Sequence, residues 1–203
     1  MTRILLVRHA TNDLLGRILY GRSPGVHLNE EGIGQAQALA RSLVERYVIS
    51  EVVSSPMERA LETAAPICEL QKVPPTVDER ITEVDVGSWT GKAFEELGEC
   101  QGWHSFNRHR SLHWPPDGET MLQVQDRAWR AIMAAAQRFP QGDATIAFVT
   151  HGDVVRCTLL LLLGMPMDYI QRLEISPASV TEAQIANDVI NVYSINQLLY
   201  RAC

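Results

Sequence analysis

Lysine is almost missing from this chain. Of its 18 cationic side chains, all but Lys72 and Lys92 are arginine. Cationic charge is therefore carried on planar forks suited to binding an oxyanion through two parallel N–H bonds, although a coding sequence rich in G and C gives the same bias. Positive charge as a whole is scarce. A formal net charge of −6 argues against a nucleic-acid binder. Cysteine is sparse too. Cys68, Cys100, Cys157 and Cys203 show no CxxC spacing and no disulfide-scaffold density, so a reducing cytoplasm is the expected compartment. No charged segment followed by a long apolar run opens the sequence, so no secretory leader is expected. Long apolar runs are missing: the longest, Cys157 to Gly164, is far too short to span a bilayer and reads as a buried helix. Repeats, low-complexity tracts and linkers are also lacking. Residues 1–203 are expected to form one domain with a sizeable core.

What remains is an ordinary globular composition, 46% hydrophobic and 21% charged, with strands and helices in alternation. Residues 3–7 read as a short buried strand, followed by an irregular, glycine-rich segment, 10–28. Asn29 is an N-cap candidate for a helix over 30–47, whose apolar face is Ala36, Leu39, Ala40, Leu43 and Val44. Ile49 to Val53 reads as a strand. A helix then starts at Ser54-Ser55-Pro56, with Pro56 near its first turn, and runs to about Leu70. A short extended piece at 75–78 and a less regular stretch, 79–117, come next. A helix from near Gly118 to about Phe139 presents Met121, Val124, Ala128, Ile132, Ala135 and Ala136, and Pro140-Gln141-Gly142 ends it. Strand 145–150, helix 153–163 and two or three strands over 170–200 complete the chain, Val189 to Ile195 being the clearest of these. This alternation predicts an α/β/α sandwich, three layers around a mainly parallel mixed sheet.

Two strand ends carry chemistry. Arg8-His9 closes the first strand, and Thr150-His151-Gly152 closes the strand at 145–150. Ligands of open α/β sheets bind outside the carboxyl ends of strands, so these residues are expected to share one site. Arg59, in the first turn of the helix after Ser54-Ser55-Pro56, adds a second guanidinium. A phosphoryl group needs charge neutralisation and positioning, which arginine forks and helix N-termini supply. A neutral histidine can attack phosphorus and hold the phosphoryl group covalently; nearby arginines keep it unprotonated. Departure of the alcohol needs an acid. Glu83 is the choice, with Asp85 as competitor, because a partly desolvated carboxyl beside a phosphate has a raised pKa.

The blocks Leu6-Val7-Arg8-His9-Ala10, Leu28-Asn29-Glu30-Glu31-Gly32 with Gln35-Ala36, and Ser54 through Ala64 appear in order. They are followed by Glu83 with Gly87, Trp89 and Gly91, by Asp117-Gly118-Glu119-Thr120, and by Val149-Thr150-His151-Gly152. Together they resemble the histidine phosphatase superfamily, the phosphoglycerate-mutase-like group. The resemblance implies that fold, His9 as the phosphorylated nucleophile, and Arg8, Arg59 and His151 as phosphate ligands. It also implies Glu83 as proton donor and no metal or other cofactor. Ala10 stands where glycine is usual, and Thr11-Asn12 where a glutamate or glutamine precedes serine or threonine. Asn12 can still donate its amide to phosphate. Leu14-Leu15 replace a frequent asparagine, which favours a phosphatase over a phosphoglycerate-type mutase.

The expected activity is thus a metal-independent phosphomonoesterase acting on a small phosphorylated metabolite. A phosphomutase and a catalytically reduced phosphate-binding regulatory module are the alternatives. The binding set is Arg8, Asn12, Arg59, His151 and Gly152, with Arg17 and Arg22 reaching the distal part of the substrate. No nucleic acid or membrane partner is expected, and the chain is read as a monomer or homodimer. The stretch 100–114, with Trp103, His104, Phe106, Arg108, His109, Arg110, His113 and Trp114, reads equally as a lid or an oligomer surface. The i, i+4 spacing of His109 and His113 suits a metal, but no acidic partner lies within the stretch. Cys157 reads as a packed core thiol.

Overall fold

The computed structural model describes residues 1–140, 143–186 and 189–199. Gln141, Gly142 and Cys203, which enter the sequence reading, lie outside them. Chain order is β1 (Thr2–Arg8), β2 (Ile18–Leu19), α1 (Glu30–Arg46), β3 (Glu51–Ser54), α2 (Glu58–Gln71), β4 (Pro75–Val77) and β5 (Lys92–Ala93). Then come α3 (Phe94–Gly98), α4 (Gln101–Arg108), α5 (Met121–Gln137), β6 (Ala144–Thr150), α6 (Gly152–Leu162), β7 (Val180–Ala186) and β8 (Val189–Gln197). Single 3₁₀ turns occupy Glu79–Ile81, Gly87–Trp89 and Met167–Arg172.

Six strands form one sheet in the order β4-β3-β6-β1-β7-β8. The first four are parallel; β7 runs antiparallel to β1, and β8 to β7. The sheet is therefore mixed and mainly parallel, with helices on both faces, as the alternation of elements predicts. Strands buried on both faces need side chains that are apolar in both directions, and β6 is buried at every position. Alternation along β1 sends Leu5 and Val7 into the layer with Leu39, Leu43, Ala60 and Ile67, from α1 and α2. It sends Ile4 and Leu6 into the opposite layer with Ile132, Val155 and Leu159, from α5 and α6. A third cluster, including Trp89, Leu97, Phe106, Met121 and Leu160, lies under α3 and α4.

Helix ends follow local chemistry. The Asn29 side chain accepts the Gly32 N–H at 2.9 Å and starts α1. Thr120 and Gln123 form a reciprocal capping box, so α5 starts at Met121 rather than near Gly118. Pro56 is not in the first turn of α2. The extended Met57 takes the N-cap position, and Pro66 sits inside the helix instead. α5 stops at Gln137, with Arg138 at its C-cap, before Pro140 is reached. The tail supplies two strands; its first part, Met167–Arg172, is a 3₁₀ turn. No helix among the described residues is long and apolar enough to cross a membrane.

Candidate active site

Register creates the site. In the parallel pair β1 and β6, Arg8 lies opposite Thr150. The next residue of each chain, His9 and His151, leaves its strand at the same level, and the His9 N–H donates to the Thr150 carbonyl at 2.8 Å. The two rings meet edge to face, 5.2 Å between centroids. β3 pairs with the other side of β6, Ser54 opposite Val149. This brings Ser55 and the first turn of α2 to the same sheet end.

His9 is 1% exposed. Its Nδ1–H donates to the Ala10 carbonyl at 2.8 Å, which leaves the Nε2 lone pair free. Burial, then Arg59 and Arg8, hold its pKa well below the ordinary imidazole value. The loop that carries it is pinned by the Ala10 N–H, which donates to Thr63 Oγ1 at 3.0 Å. Ala10 is fully buried and outside the positive-φ residues, so no glycine is required there.

Arg59 is fully buried. Nη2 donates to the Gly21 carbonyl at 2.8 Å, and the guanidinium lies over the Tyr20 ring, 4.7 Å from its centroid. Nε and Nη1 have no hydrogen-bond partner among the described residues. Arg8 donates from Nη1 to the Ile175 carbonyl at 2.6 Å, and its buried Nε is likewise unpartnered. Unsatisfied buried cationic N–H groups are costly; an oxyanion would relieve them. His151 is fully buried, its Nε2 2.7 Å from Ser55 Oγ and its Nδ1 3.7 Å from Glu83 Oε2. Burial, then His9 and Arg59, depress its pKa well below the ordinary value.

Glu83 points into the same space. Burial, then the Asp153 charge, raises its pKa against the opposing pull of Arg59 and Arg8. Its backbone is firmly held: the Glu83 carbonyl accepts from Arg22 Nε at 2.7 Å and Arg127 Nη2 at 3.1 Å. Glu119 ties these two arginines together, 2.6 Å from Arg22 Nη2 and 2.9 Å from Arg127 Nε, and also accepts the Asp85 N–H. Asp85, the competitor for the acid, accepts the Gly87 N–H and stands 3.9 Å from Arg22.

A cleft of about 610 Å³, open mouth included, leads outward from His9. Its lining includes the polar or charged Arg8, Glu83, Asp153 and Arg156, with Gly152, and the apolar or aromatic Ile18, Leu19, Tyr20, Val86 and Phe94. Arg59, His151, Asn12, Arg17 and Arg22 are not among its lining residues. Arg17 is exposed and off its wall. Arg22 is committed to the Glu83 loop. Asn12 is buried: its carbonyl oxygen caps Leu14 and its amide donates to the Tyr20 hydroxyl at 3.1 Å. Gly152 lines the cleft, and a Cβ there would stand 3.2 Å from Arg8 Nε. The stretch 100–114 divides. Trp103 and Phe106 pack on Trp89, and Arg110 reaches Asp153 at 2.6 Å. Leu112 and Trp114 face outward. His109 lies 3.9 Å from Asp168, and no group of three metal-ligating side chains occurs among the described residues. Cys157 is fully buried in the core, as expected, its thiol pKa pushed far up by burial.

Residues 4–198 match the sequence model of the histidine phosphatase superfamily, branch 1. The chain belongs to that superfamily. It is 31% identical over 211 residues to a bifunctional protein of Mycobacterium tuberculosis, a match covering 98% of this chain and 55% of that one. The chain thus spans about half the length of the first curated relatives it matches. It is 27% identical over 173 residues to the glucosyl-3-phosphoglycerate phosphatase of Mycolicibacterium vanbaalenii, covering 82% and 76% of the two chains. Among solved structures, YhfR of Bacillus stearothermophilus superposes with a TM-score of 0.90 at 25% identity, over 98% of this chain and 100% of that one. A phosphoserine phosphatase of Entamoeba histolytica bound to phosphoserine superposes with a TM-score of 0.85 at 23% identity, over 98% of each chain.

Tyr20, Asp153, Arg156 and Arg127 surround the site but are not singled out in the sequence, where Ser55 and Glu119 appear only inside longer blocks without a role of their own. Asp153 had a signal, since it follows His151-Gly152 in the first turn of α6. The others carry none that a single sequence displays.

Proposed function

We propose that this histidine phosphatase is a metal-independent phosphomonoesterase that works through a phosphohistidine on His9. One observation carries the reading. Arg8 Nε, Arg59 Nε and Nη1, and His151 Nδ1 are buried nitrogens without partners among the described residues, on side chains that neighbour His9. A phosphoryl group between them would satisfy the donors and neutralise the two guanidinium charges.

In the first step His9 Nε2 forms a bond to phosphorus as the ester P–O bond breaks. Glu83, whose burial raises its pKa and so favours the protonated form, gives its proton to the leaving alkoxide. In the second step the Glu83 carboxylate takes a proton from water. The water oxygen bonds to phosphorus, the P–N bond breaks, and His9 and inorganic phosphate are regenerated. The alcohol would lie outward, against Ile18, Leu19, Val86 and Phe94, walls that suit a small leaving group with apolar surface. The names of the relatives support a phosphorylated metabolite as substrate. The segment 84–117 carries the short helices α3 and α4, the two-residue strand β5 and one 3₁₀ turn. Such light cover supports hydrolysis over return of the phosphoryl group to the substrate.

The test is phosphate release from p-nitrophenyl phosphate in EDTA, together with labelling by a radioactive phosphodonor. Alkali-stable, acid-labile label that disappears in His9→Ala is the expected result. Turnover with no such label would overturn the mechanism, and neither turnover nor label would leave only a phosphate-binding module.

A further inference from the structure

Ser55 is buried at the end of β3, out of the cleft, with its Oγ 2.7 Å from His151 Nε2. It is not among the residues that line the cleft. A weaker bond links it to the next helix: the Met57 N–H donates to the same oxygen at 3.4 Å. We infer that Ser55 is a positioning residue that sets the tautomer of His151, holding the proton on Nδ1 so that this ring presents an N–H to the bound phosphoryl group.

The inference rests on the phosphoryl-binding role proposed above. It follows from counting donors and acceptors. A serine hydroxyl has one proton and two lone pairs. If Nε2 carried the ring proton, Ser55 Oγ would accept from both Nε2 and Met57, and its own proton would have no acceptor among the described residues. Nδ1 would then present a bare lone pair to an incoming phosphoryl anion, a repulsive arrangement. If Ser55 donates to Nε2, every group is satisfied except the Nδ1–H. That group has no partner among the described residues and stands 3.7 Å from Glu83 Oε2. The choice matters because His151 is neutral at ordinary pH: its proton is a single one, and only one nitrogen can have it. The two histidines are thereby held in complementary roles. A backbone carbonyl on His9 Nδ1 frees Nε2 as a nucleophile, and a hydroxyl on His151 Nε2 turns Nδ1 into a donor.

The experiment is two-dimensional proton–nitrogen NMR of histidine-labelled protein, with vanadate affinity and steady-state kinetics on the same samples. In the wild type, His151 is expected to show a protonated Nδ1 and a bare Nε2. Ser55→Ala should abolish that preference, weaken vanadate binding and lower kcat/KM on p-nitrophenyl phosphate tenfold or more. Ser55→Thr, which keeps the hydroxyl, should restore the tautomer and most of the affinity. A wild-type His151 protonated on Nε2 would overturn the inference whatever the variants do. So would a Ser55→Ala protein whose tautomer and vanadate affinity are unchanged. Failure of the phosphatase reading is seen separately, as a wild type that forms no phosphohistidine and hydrolyses no ester.

Discussion

His9 and His151 stand edge to face at an interplanar angle of 64°, because β1 and β6 are in register from Thr2 opposite Ala144 to Arg8 opposite Thr150. A slip of one residue would turn the side chains of β1 to the other face and take the two imidazoles out of reach of one phosphoryl group. The pairing that builds the core therefore also builds the site.

Glu83→Gln removes the proposed proton donor while keeping its shape. Ester cleavage is expected to slow much more for alkyl phosphates than for p-nitrophenyl phosphate, since only a poor leaving group needs the proton. Parallel measurement of kcat on both ester types checks this. Equal slowing would assign the acid elsewhere, with Asp85 next.

The pH profile follows from the two displaced groups. His9 is held below the ordinary imidazole value, so the nucleophile stays neutral well into the acid range. Glu83 is raised, so its proton is retained above the usual carboxylate range and lost as pH rises through the shifted pKa. With an alkyl phosphate, kcat/KM should fall on the alkaline side, and this limb should vanish in Glu83→Gln. A wild-type limb that survives the substitution would show that Glu83 does not produce it.

Gly152→Ala tests how closely Arg8 must approach the α6 N-terminus. The new Cβ would lie 3.2 Å from Arg8 Nε and 3.4 Å from Cζ, so the guanidinium must shift by a few tenths of an ångström. Phosphate and vanadate affinity should fall about tenfold, equivalent to about 1.4 kcal/mol, with little change in urea stability. Unchanged vanadate affinity would remove Arg8 from the anion site.

Asp153 links the site to the stretch 100–114. Burial alone would raise its pKa, but Arg110 and Arg156 outweigh burial and hold it at about 2. A depressed folded-state pKa stabilises the fold above the unfolded value and loses that contribution as pH falls towards 2. The loss amounts to at most about 2 kcal/mol. Urea unfolding between pH 6 and about pH 3 should reveal it in the wild type and not in Asp153→Asn, which should also be less stable at neutral pH because Arg110 loses a charged partner.

Much of this was legible in one dimension. Apolar runs bounded by turn residues marked β1 and β6, and the Asn29 cap marked α1. Histidine and arginine at strand ends marked Arg8, His9, Arg59 and His151. These signals are local, carried by neighbours along the chain. Arg22 looks like a free loop arginine in the sequence, and only folding brings Glu119 and the Glu83 carbonyl to it. The same holds for Asn12, whose amide is engaged by Tyr20. The roles of Ser55, Glu119 and Arg127 depend on contacts between segments far apart in sequence. The sequence by itself determined which side chains could do phosphoryl chemistry and at which strand ends they would stand. Only the tertiary structure decided which nitrogens are left without partners, because hydrogen-bond satisfaction is a property of all the groups that folding brings together.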